Sequence, residues 1–200
     1  MIKNVVFDLG NVLARFNLND VLNSLTEDQK MKDDIFQFYF QSGLWHEYDH
    51  GLHSQKEMIE MGQERYPEYK EIIVQFMHTW SEFVLPIPSS MEVLEEYSQR
   101  KDCYILSNIP EDCFTFIKEK TPILKMVKGG VYSYQEKRIK PDLELYRILL
   151  NKYRLKASEC LFIDDRIENV EAALHLGFQA IHLRDVSKLK EEIEVKLHEM

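Results

Sequence analysis

The sequence has few cysteines, no excess of basic residues and no long apolar run. Three cysteines, Cys103, Cys113 and Cys160, lack the spacing of a disulfide framework or a metal site, so we predict reduced structural thiols in a cytoplasmic protein. The net charge of -9 argues against a nucleic-acid-binding protein, because no large basic surface can neutralise phosphates. The first apolar run ends early, at Asp8, so we expect neither a signal peptide nor a membrane partner.

The chain does contain alternating strand and helix signals. Strand patterns lie at about 2–8, 103–107, 130–134, 160–164 and 180–183, and helical patterns at 91–100, 112–120, 142–153, 169–176 and 187–200. This order predicts an α/β fold with a parallel sheet covered on both faces. Pro141 suits a first helical turn, and Gly177 suits the end of a helix.

Residues 15–85 interrupt this alternation. Apolar and aromatic residues recur there at helical spacing, as in the pair Tyr39 and Phe40 and again at Phe76 and Trp80, and no strand is evident. We predict a helical cap at 15–85, inserted after the first strand, and a core formed by 1–14 and 86–200. The aromatic residues are interpreted as the internal core of the cap.

Acidic residues follow two of the predicted strands directly. Asp8 ends the first apolar run, and Asp164 and Asp165 follow the run at 160–163. Ligands of parallel α/β sheets bind beyond the carboxyl ends of the strands. A carboxylate there can attack phosphorus, and adjacent carboxylates favour a hard divalent cation such as Mg²⁺.

Two further segments suit phosphate binding. Ser107 and Asn108 follow the strand at 103–107 and offer a hydroxyl, an amide and backbone N–H groups. Lys140 precedes a predicted helix start, where the helix dipole disfavours a cation, and this indicates an anionic partner. Together these segments predict a site for a phosphorylated ligand and a divalent cation.

Four motifs, in this order, resemble those of the haloacid dehalogenase-like hydrolase superfamily. They are Phe7-Asp8-Leu9-Gly10-Asn11-Val12, Leu106-Ser107-Asn108, Lys140-Pro141-Asp142 and Phe162-Ile163-Asp164-Asp165. The resemblance implies a Rossmann-like core with a small helical cap, and in most members a Mg²⁺-dependent phosphohydrolase that works through an aspartyl-phosphate.

The resemblance also implies roles in phosphoryl transfer. Asp8 would be the nucleophile. Ser107 and Asn108 would hold the phosphoryl oxygens, and Lys140 would neutralise them while orienting Asp8.

The same resemblance implies a set of metal ligands. Asp8, the backbone carbonyl of Gly10 and Asp165 would bind Mg²⁺, with Asp164 in or near the coordination sphere. Asn169 occupies a place where many members have a second acid.

Gly10 departs from the family pattern, because most of its phosphatases carry there the acid that protonates the leaving group. Losing such an acid typically costs about 10²–10⁴-fold in rate.

Three alternatives explain this glycine. A bacterial branch of hexose-phosphate phosphatases, including α-glucose-1-phosphate phosphatase, shares it, and the anomeric oxygen of such a substrate leaves more easily. Alternatively, His46, Asp49 or His50 of the cap loop donates the proton; we also assign His46 to substrate binding. The third alternative is that the chain is a weak enzyme or a protein that binds a phosphorylated ligand.

These observations predict a Mg²⁺-dependent phosphatase of a small phosphorylated metabolite, with a sugar phosphate as the favoured class. One alternative is a 2-haloacid dehalogenase, although its substrate has no phosphoryl group that would need the cation held by Asp164 and Asp165. Another is a catalytically silent binding protein. The oligomeric state is open.

Overall fold

A five-stranded parallel sheet forms the centre of the computed structural model, which describes residues 1–198. The strands are β1 (Asn4–Phe7), β2 (Ala14–Phe16), β3 (Val84–Pro86), β4 (Asp102–Ser107), β5 (Gly129–Tyr132), β6 (Cys160–Asp164) and β7 (Gln179–His182). The central sheet has the order β5-β4-β1-β6-β7, so β1 lies between β4 and β6 and their carboxyl ends share one edge. The predicted α/β fold with a parallel sheet is confirmed.

Helices cover both faces of this sheet, because its strands are apolar on both sides. The helices are α1 (Leu18–Leu25), α2 (Gln29–Phe36), α3 (Leu44–Asp49), α4 (Gln55–Arg65), α5 (Lys70–Thr79), α6 (Pro88–Ser98), α7 (Glu111–Lys120), α8 (Ser133–Glu136), α9 (Leu143–Tyr153), α10 (Ile167–His175) and α11 (Leu189–His198). In β1, Val5 and Phe7 pack with α6 and α11, while Val6 packs on the opposite face with α9 and α10. Such period-two alternation buries both faces of a strand.

Most predicted elements agree with the observed ones to within about three residues. The last predicted helix is divided into a short turn at Val186–Lys188 and α11. Its final predicted residues, 199–200, lie outside the described residues. Gly177 follows α10 with φ +88°, the left-handed conformation that ends a helix, as predicted.

The prediction of a helical start at Pro141 is wrong. Asp142 caps α9 by accepting a hydrogen bond from the Glu144 backbone N–H at 2.9 Å, so the helix begins at Leu143. Pro141 lies before the cap, in a cis peptide bond with Lys140. The aspartate side chain, which satisfies an N–H group that has no partner in the first turn, determines where the helix begins.

The segment predicted to lack strands contains parts of two. β2 and β3 form an antiparallel ribbon in which Arg15 faces Leu85. Each strand has only three residues, which is too short to give a clear alternating pattern in sequence. The ribbon joins the two ends of the helical segment to the sheet region, near the predicted boundaries at 15 and 85. The division into core and cap remains a prediction.

Helices α1 to α5 pack around a cluster of aromatic side chains. Tyr39, Phe76 and Trp80 are buried within it, and the ring of Trp45 lies 4.8 Å from that of Trp80. Most of the aromatic residues therefore form the interior of this segment, in line with the interpretation from sequence. The two tryptophans also have a second role, because they line a cavity described below.

Hydrogen bonds fasten the end of α3 to the sheet region. Ser133 Oγ donates to the Asp49 carbonyl at 2.5 Å, and His50 Nε2 bonds the Lys137 carbonyl at 2.9 Å. The Lys137 ammonium donates to the Gly51 carbonyl. These contacts fix the segment 49–51 against α8.

Two further findings concern the state of the cysteines and the lengths of the helices. All three cysteines are buried and free within the described residues, as predicted. Among residues 1–198, none of the helices combines the length and apolar character needed to cross a bilayer.

Gly51→Ala should destabilise the protein more than Gly43→Ala. Both glycines have positive φ, +72° and +91°, so each variant pays a backbone cost of about 1–2 kcal/mol. Only at Gly51 would the new Cβ meet fixed backbone, with the Tyr134 carbonyl oxygen at 2.7 Å, whereas the space at Gly43 is open. Urea unfolding measures both changes. Equal losses in the free energy of unfolding would contradict this role of Gly51.

Candidate active site

Three carboxylates meet at the carboxyl edge of the sheet. Asp8 directly follows β1, Asp164 ends β6, and Asp165 is the next residue. One oxygen of each lies within 4.8 Å of the other two. Since β1 and β6 are hydrogen-bonded neighbours in register from Asn4 to Phe7, the sheet itself brings these acids together.

Lys140 supplies the cation that this cluster requires. Its Nζ lies 2.9 Å from Asp8 Oδ1 and 2.6 Å from Asp164 Oδ2, and the side chain is 1% exposed. Burial lowers the pKa of Lys140, but the charges of Asp164 and Asp8 more than offset this, so its pKa lies above the ordinary value. The lysine therefore stays charged in the interior, where an unpaired ammonium would be very costly.

Two asparagines orient the acids of the β6 end. Asn169 Nδ2 lies 2.9 and 3.1 Å from the two oxygens of Asp164, and the Arg166 backbone N–H donates to Asp164 Oδ1 at 2.9 Å. Asn11 Nδ2 donates to Asp165 Oδ2 at 3.0 Å. Asp164 is thus held firmly, while Asp165 is partly exposed.

The carboxylate of Asp8 accepts fewer hydrogen bonds than that of Asp164. Its Oδ1 is near Lys140 but has no hydrogen bond in suitable geometry from any described residue. Burial raises the pKa of Asp8 to about 6, the charge of Asp164 adds to the rise, and Lys140 opposes it. A divalent cation would stabilise the ionised form of such a carboxylate.

This donor set fits Mg²⁺. The cluster offers only carboxylate oxygen atoms, and one of them, Asp8 Oδ1, has an ion pair with Lys140 but no hydrogen bond from a described residue. Mg²⁺ is held by one or two carboxylates with waters and substrate phosphate completing the shell. Gly10, whose carbonyl was predicted as a ligand, lines the same cavity as Asp8 and Asp165. The individual ligand roles remain predictions.

Asn108 also holds Lys140 in place. Its Nδ2 donates to the Lys140 carbonyl at 3.1 Å, and its Oδ1 accepts from the Lys140 backbone N–H at 2.8 Å. Ser107 is buried at the end of β4, and its hydroxyl helps to lower the pKa of Asp8. Both residues therefore reach the site, while phosphate binding by them remains a prediction.

A cavity of about 380 Å³ opens over this cluster. Its lining combines apolar and polar side chains from the helical segment and from the sheet region. The apolar lining includes Phe16, Phe40, Trp45, Trp80, Val84, Ile109, Ile117 and Ile139, and the polar lining includes Asp8, Asn11, Ser107, Asn108, Lys140, Asp165, Arg166 and Asn169. The cavity can thus hold an anionic group beside an apolar one.

The prediction of a loop for His46, Asp49 and His50 is wrong, because they lie on α3 or at its end. They reach this cavity unequally. His46 is exposed and lines it, as does the half-buried Asp49. His50 is not among the described lining residues and bonds the Lys137 carbonyl instead.

The sequence analysis assigned no positioning role to Asn11 or Ser133. Asn11, three residues after Asp8, has φ 55°, and the Gly10-Asn11 pair of the first motif is a turn signal. Ser133 and the apolar walls carry no signal in the sequence, because their partners are far away along the chain.

The chain belongs to the haloacid dehalogenase-like hydrolase family, whose model matches residues 2–177. A sesquiterpene phosphatase of Aspergillus oryzae is 28% identical over 185 residues, covering 92% of this chain and 90% of the relative. A D-ribitol-5-phosphate phosphatase of Bacteroides thetaiotaomicron is 24% identical over 215 residues, covering 99% and 100%.

A solved structure shares the fold. It is a haloacid dehalogenase family enzyme of Bacteroides thetaiotaomicron, crystallised with magnesium and inorganic phosphate, and it superposes with a TM-score of 0.77 at 20% identity over 90% of this chain and 93% of the other. The predicted Rossmann-like fold class is confirmed. The prediction of a hydrolase of this family, with phosphatases among its relatives, is confirmed as well.

Magnesium should stabilise the protein through the carboxylate cluster. A ligand at about 100 times its Kd adds about 2.7 kcal/mol, which is roughly 5–10 °C in Tm for a chain of this size. Asp165→Asn should lose most of this shift, whereas Asp20→Asn, on the exposed face of α1, should keep it. Thermal unfolding with and without magnesium measures the shift. Equal shifts in wild type and Asp165→Asn would exclude Asp165 as a ligand.

Proposed function

We propose that this protein is a Mg²⁺-dependent phosphatase of a small phosphorylated metabolite that works through an aspartyl-phosphate on Asp8. The observation that carries the proposal is the buried Lys140 ammonium between Asp8 and Asp164, 2.9 and 2.6 Å away. Asp165 completes a carboxylate cluster at the floor of the cavity. A nucleophile, a fixed cation and a metal site side by side suit phosphoryl transfer.

Each residue has a defined task in this proposal. Asp8 attacks phosphorus, and the bond to the leaving oxygen breaks. Lys140 offsets the charge on the phosphoryl oxygens, while Ser107 and Asn108 bind those oxygens from the end of β4. When bound, magnesium neutralises the phosphate and positions it. Water then attacks the phosphorus of the aspartyl-phosphate, releasing inorganic phosphate and restoring Asp8.

A sugar phosphate is the substrate class favoured by the first motif. Its sequence, Asp8 to Val12, resembles that of the branch containing α-glucose-1-phosphate phosphatase, which shares Gly10. The relative that acts on D-ribitol 5-phosphate supports a polyol or sugar phosphate. His46, exposed at the cavity, would contact the hydroxyl groups of such a substrate.

The walls of the cavity favour a second candidate, an ester of an apolar alcohol. Phe16, Trp45 and Trp80 line it, with the Phe16 ring 5.4 Å from that of Trp80. Aromatic walls gain free energy by burying apolar surface, and a sugar would leave that gain unused. The sesquiterpene phosphatase among the relatives supports this class.

Two other readings have less support. A 2-haloacid dehalogenase would not use the cation site at Asp164 and Asp165, and a silent binding protein would not need a nucleophile beside Lys140.

We also propose a cytoplasmic location, because three buried free thiols suit a reducing compartment. The absence of nucleic-acid and membrane partners remains a prediction from charge and sequence.

Replacing the nucleophile tests the enzyme class. With an aryl phosphate and magnesium, Asp8→Asn should lose on the order of 10⁶-fold in kcat, as nucleophile removals do elsewhere. Asp20→Asn should match wild type, and EDTA should abolish turnover reversibly. If wild type and Asp8→Asn are equally inert on a broad phosphate panel, the protein is a binding protein and not a phosphatase. Metal-independent turnover of chloropropionate would instead favour a dehalogenase.

A substrate panel separates the two ester classes. We expect kcat/KM with magnesium to differ between sugar phosphates, such as glucose 1-phosphate and ribitol 5-phosphate, and phosphates of long-chain or prenyl alcohols. Trp80→Ala should lower kcat/KM for the apolar esters by about 10-fold or more, the cost of losing one large apolar contact. If sugar phosphates are preferred and Trp80→Ala leaves both classes unchanged, the apolar candidate is wrong.

A further inference from the structure

We propose that Asp49, at the end of α3, protonates the leaving alcohol and afterwards takes a proton from the attacking water. This inference rests on the proposed phosphatase function and assigns a catalytic residue within it. It answers the question raised by Gly10, which stands where most phosphatases of the family carry their acid.

The described residues around Gly10 offer no other acid at that position. Apart from its chain neighbours, a Cβ built on Gly10 would have one described atom within 4 Å, Asp8 Oδ2 at 4.0 Å. Asn11, the next residue, directs its amide to Asp165. A proton for the leaving alcohol would therefore come from another wall of the cavity.

Among the three cap candidates, the structure favours Asp49. It lines the cavity together with Asp8 and Lys140 and is half-buried. His46 lines the cavity but is exposed, and His50 uses its Nε2 to bond the Lys137 carbonyl at 2.9 Å. Asp49 is thus the carboxyl of the cap that faces the same space as the nucleophile.

The position of Asp49 is fixed relative to the phosphate-binding loop. Ser133 Oγ donates to the Asp49 carbonyl at 2.5 Å and accepts from the Ile109 backbone N–H at 2.8 Å. Ile109 directly follows Ser107 and Asn108. The Ser133 hydroxyl therefore links Asp49, the proposed proton donor, to the loop after β4 that is proposed to hold the phosphate.

The surroundings of Asp49 favour the protonated form of its carboxyl. Burial, followed by the charges of Asp112 and Asp8, raises the pKa of Asp49 to about 8, while Arg166 and Lys140 oppose the rise. These groups face it from α7, the sheet edge and the loops before α9 and α10.

Asp112 raises the pKa of Asp49 but is not itself placed to protonate the leaving alcohol. It lies among donors, with Trp80 Nε1 at 2.8 Å and Gln55 Nε2 at 3.0 Å, and it is not among the described residues that line the cavity. On its own helix, Asp49 has His46, Glu47 and Tyr48 as ionisable neighbours.

The two steps balance. In the first, Asp8 forms a bond to phosphorus, the bond from phosphorus to the alcohol oxygen breaks, and that oxygen takes the proton of Asp49. In the second, the Asp49 carboxylate takes a proton from water, whose oxygen bonds to phosphorus as the bond to Asp8 breaks. Alcohol and inorganic phosphate are the products, and Asp49 is protonated again.

The test compares esters whose leaving groups need acid to different degrees. For an alkyl phosphate, Asp49→Asn should lower kcat/KM by about 10²–10⁴-fold, the usual contribution of general acid catalysis. For p-nitrophenyl phosphate, whose leaving group needs little protonation, the loss in kcat/KM should be much smaller. Asp49→Glu should recover part of the activity on the alkyl ester. Glu47→Gln, a neighbouring change away from the cavity that alters the contact with His53, should match wild type.

Two further readouts distinguish chemistry from structure. In wild type, kcat/KM for the alkyl ester should fall as pH rises through about 8, because the acid form is lost; in Asp49→Asn this fall should disappear. Asp49→Asn should also release one equivalent of nitrophenolate in a burst, since hydrolysis of the aspartyl-phosphate then lacks its base.

Several results would overturn this role. Equal losses on both esters, a retained alkaline fall in Asp49→Asn, or unchanged activity on the alkyl ester would each exclude Asp49 as the acid. These outcomes leave the phosphatase proposal intact as long as turnover still depends on Asp8. A wild-type protein inert on every ester would instead refute the phosphatase proposal itself.

Discussion

The buried ammonium of Lys140, held between Asp8 and Asp164, is the interaction on which the site depends. An ammonium at 1% exposure is tolerated only where opposite charges and hydrogen bonds replace water. Three parts of the chain must therefore meet: the end of β1, the end of β6 and the loop before α9. Asn108 adds a fourth, because its side chain clamps the Lys140 backbone through two hydrogen bonds. The central strands of a parallel sheet hold these parts in a rigid arrangement.

That arrangement has an electrostatic consequence. Three carboxylates face one lysine, so the cluster carries more negative than positive charge when all four groups are ionised. Burial and Asp164 raise the pKa of Asp8, and its Oδ1 has an ion pair with Lys140 but no hydrogen bond from a described residue. A divalent cation held by these carboxylates would relieve this excess, and a substrate phosphate would suit such a cation. The charges of Asp112 and Asp8 also raise the pKa of Asp49, which lines the same cavity as Asp8.

The sheet and its polar edge could be predicted from sequence, because local patterns determine both. Apolar runs followed directly by Asp8 and Asp164 reveal strand ends, and parallel strands place such ends together. The β2–β3 ribbon could not be predicted, since three-residue strands show no periodicity. The start of α9 was misplaced at Pro141 because the Asp142 cap decides it. The distinction between Asp49 and its histidine neighbours depends on which of them line the cavity and on the bond from His50 to the Lys137 carbonyl, 87 residues away along the chain.

The most direct test of the central claim is to trap the phosphorylated enzyme. Acid quenching within the first turnover of a phosphate ester with magnesium, followed by tandem mass spectrometry of the peptide containing Asp8, would locate the phosphoryl group. We predict that the group is found on Asp8, appears before inorganic phosphate and disappears when substrate is exhausted. Release of phosphate without any phosphorylated peptide, or a phosphoryl group on another residue, would contradict the account.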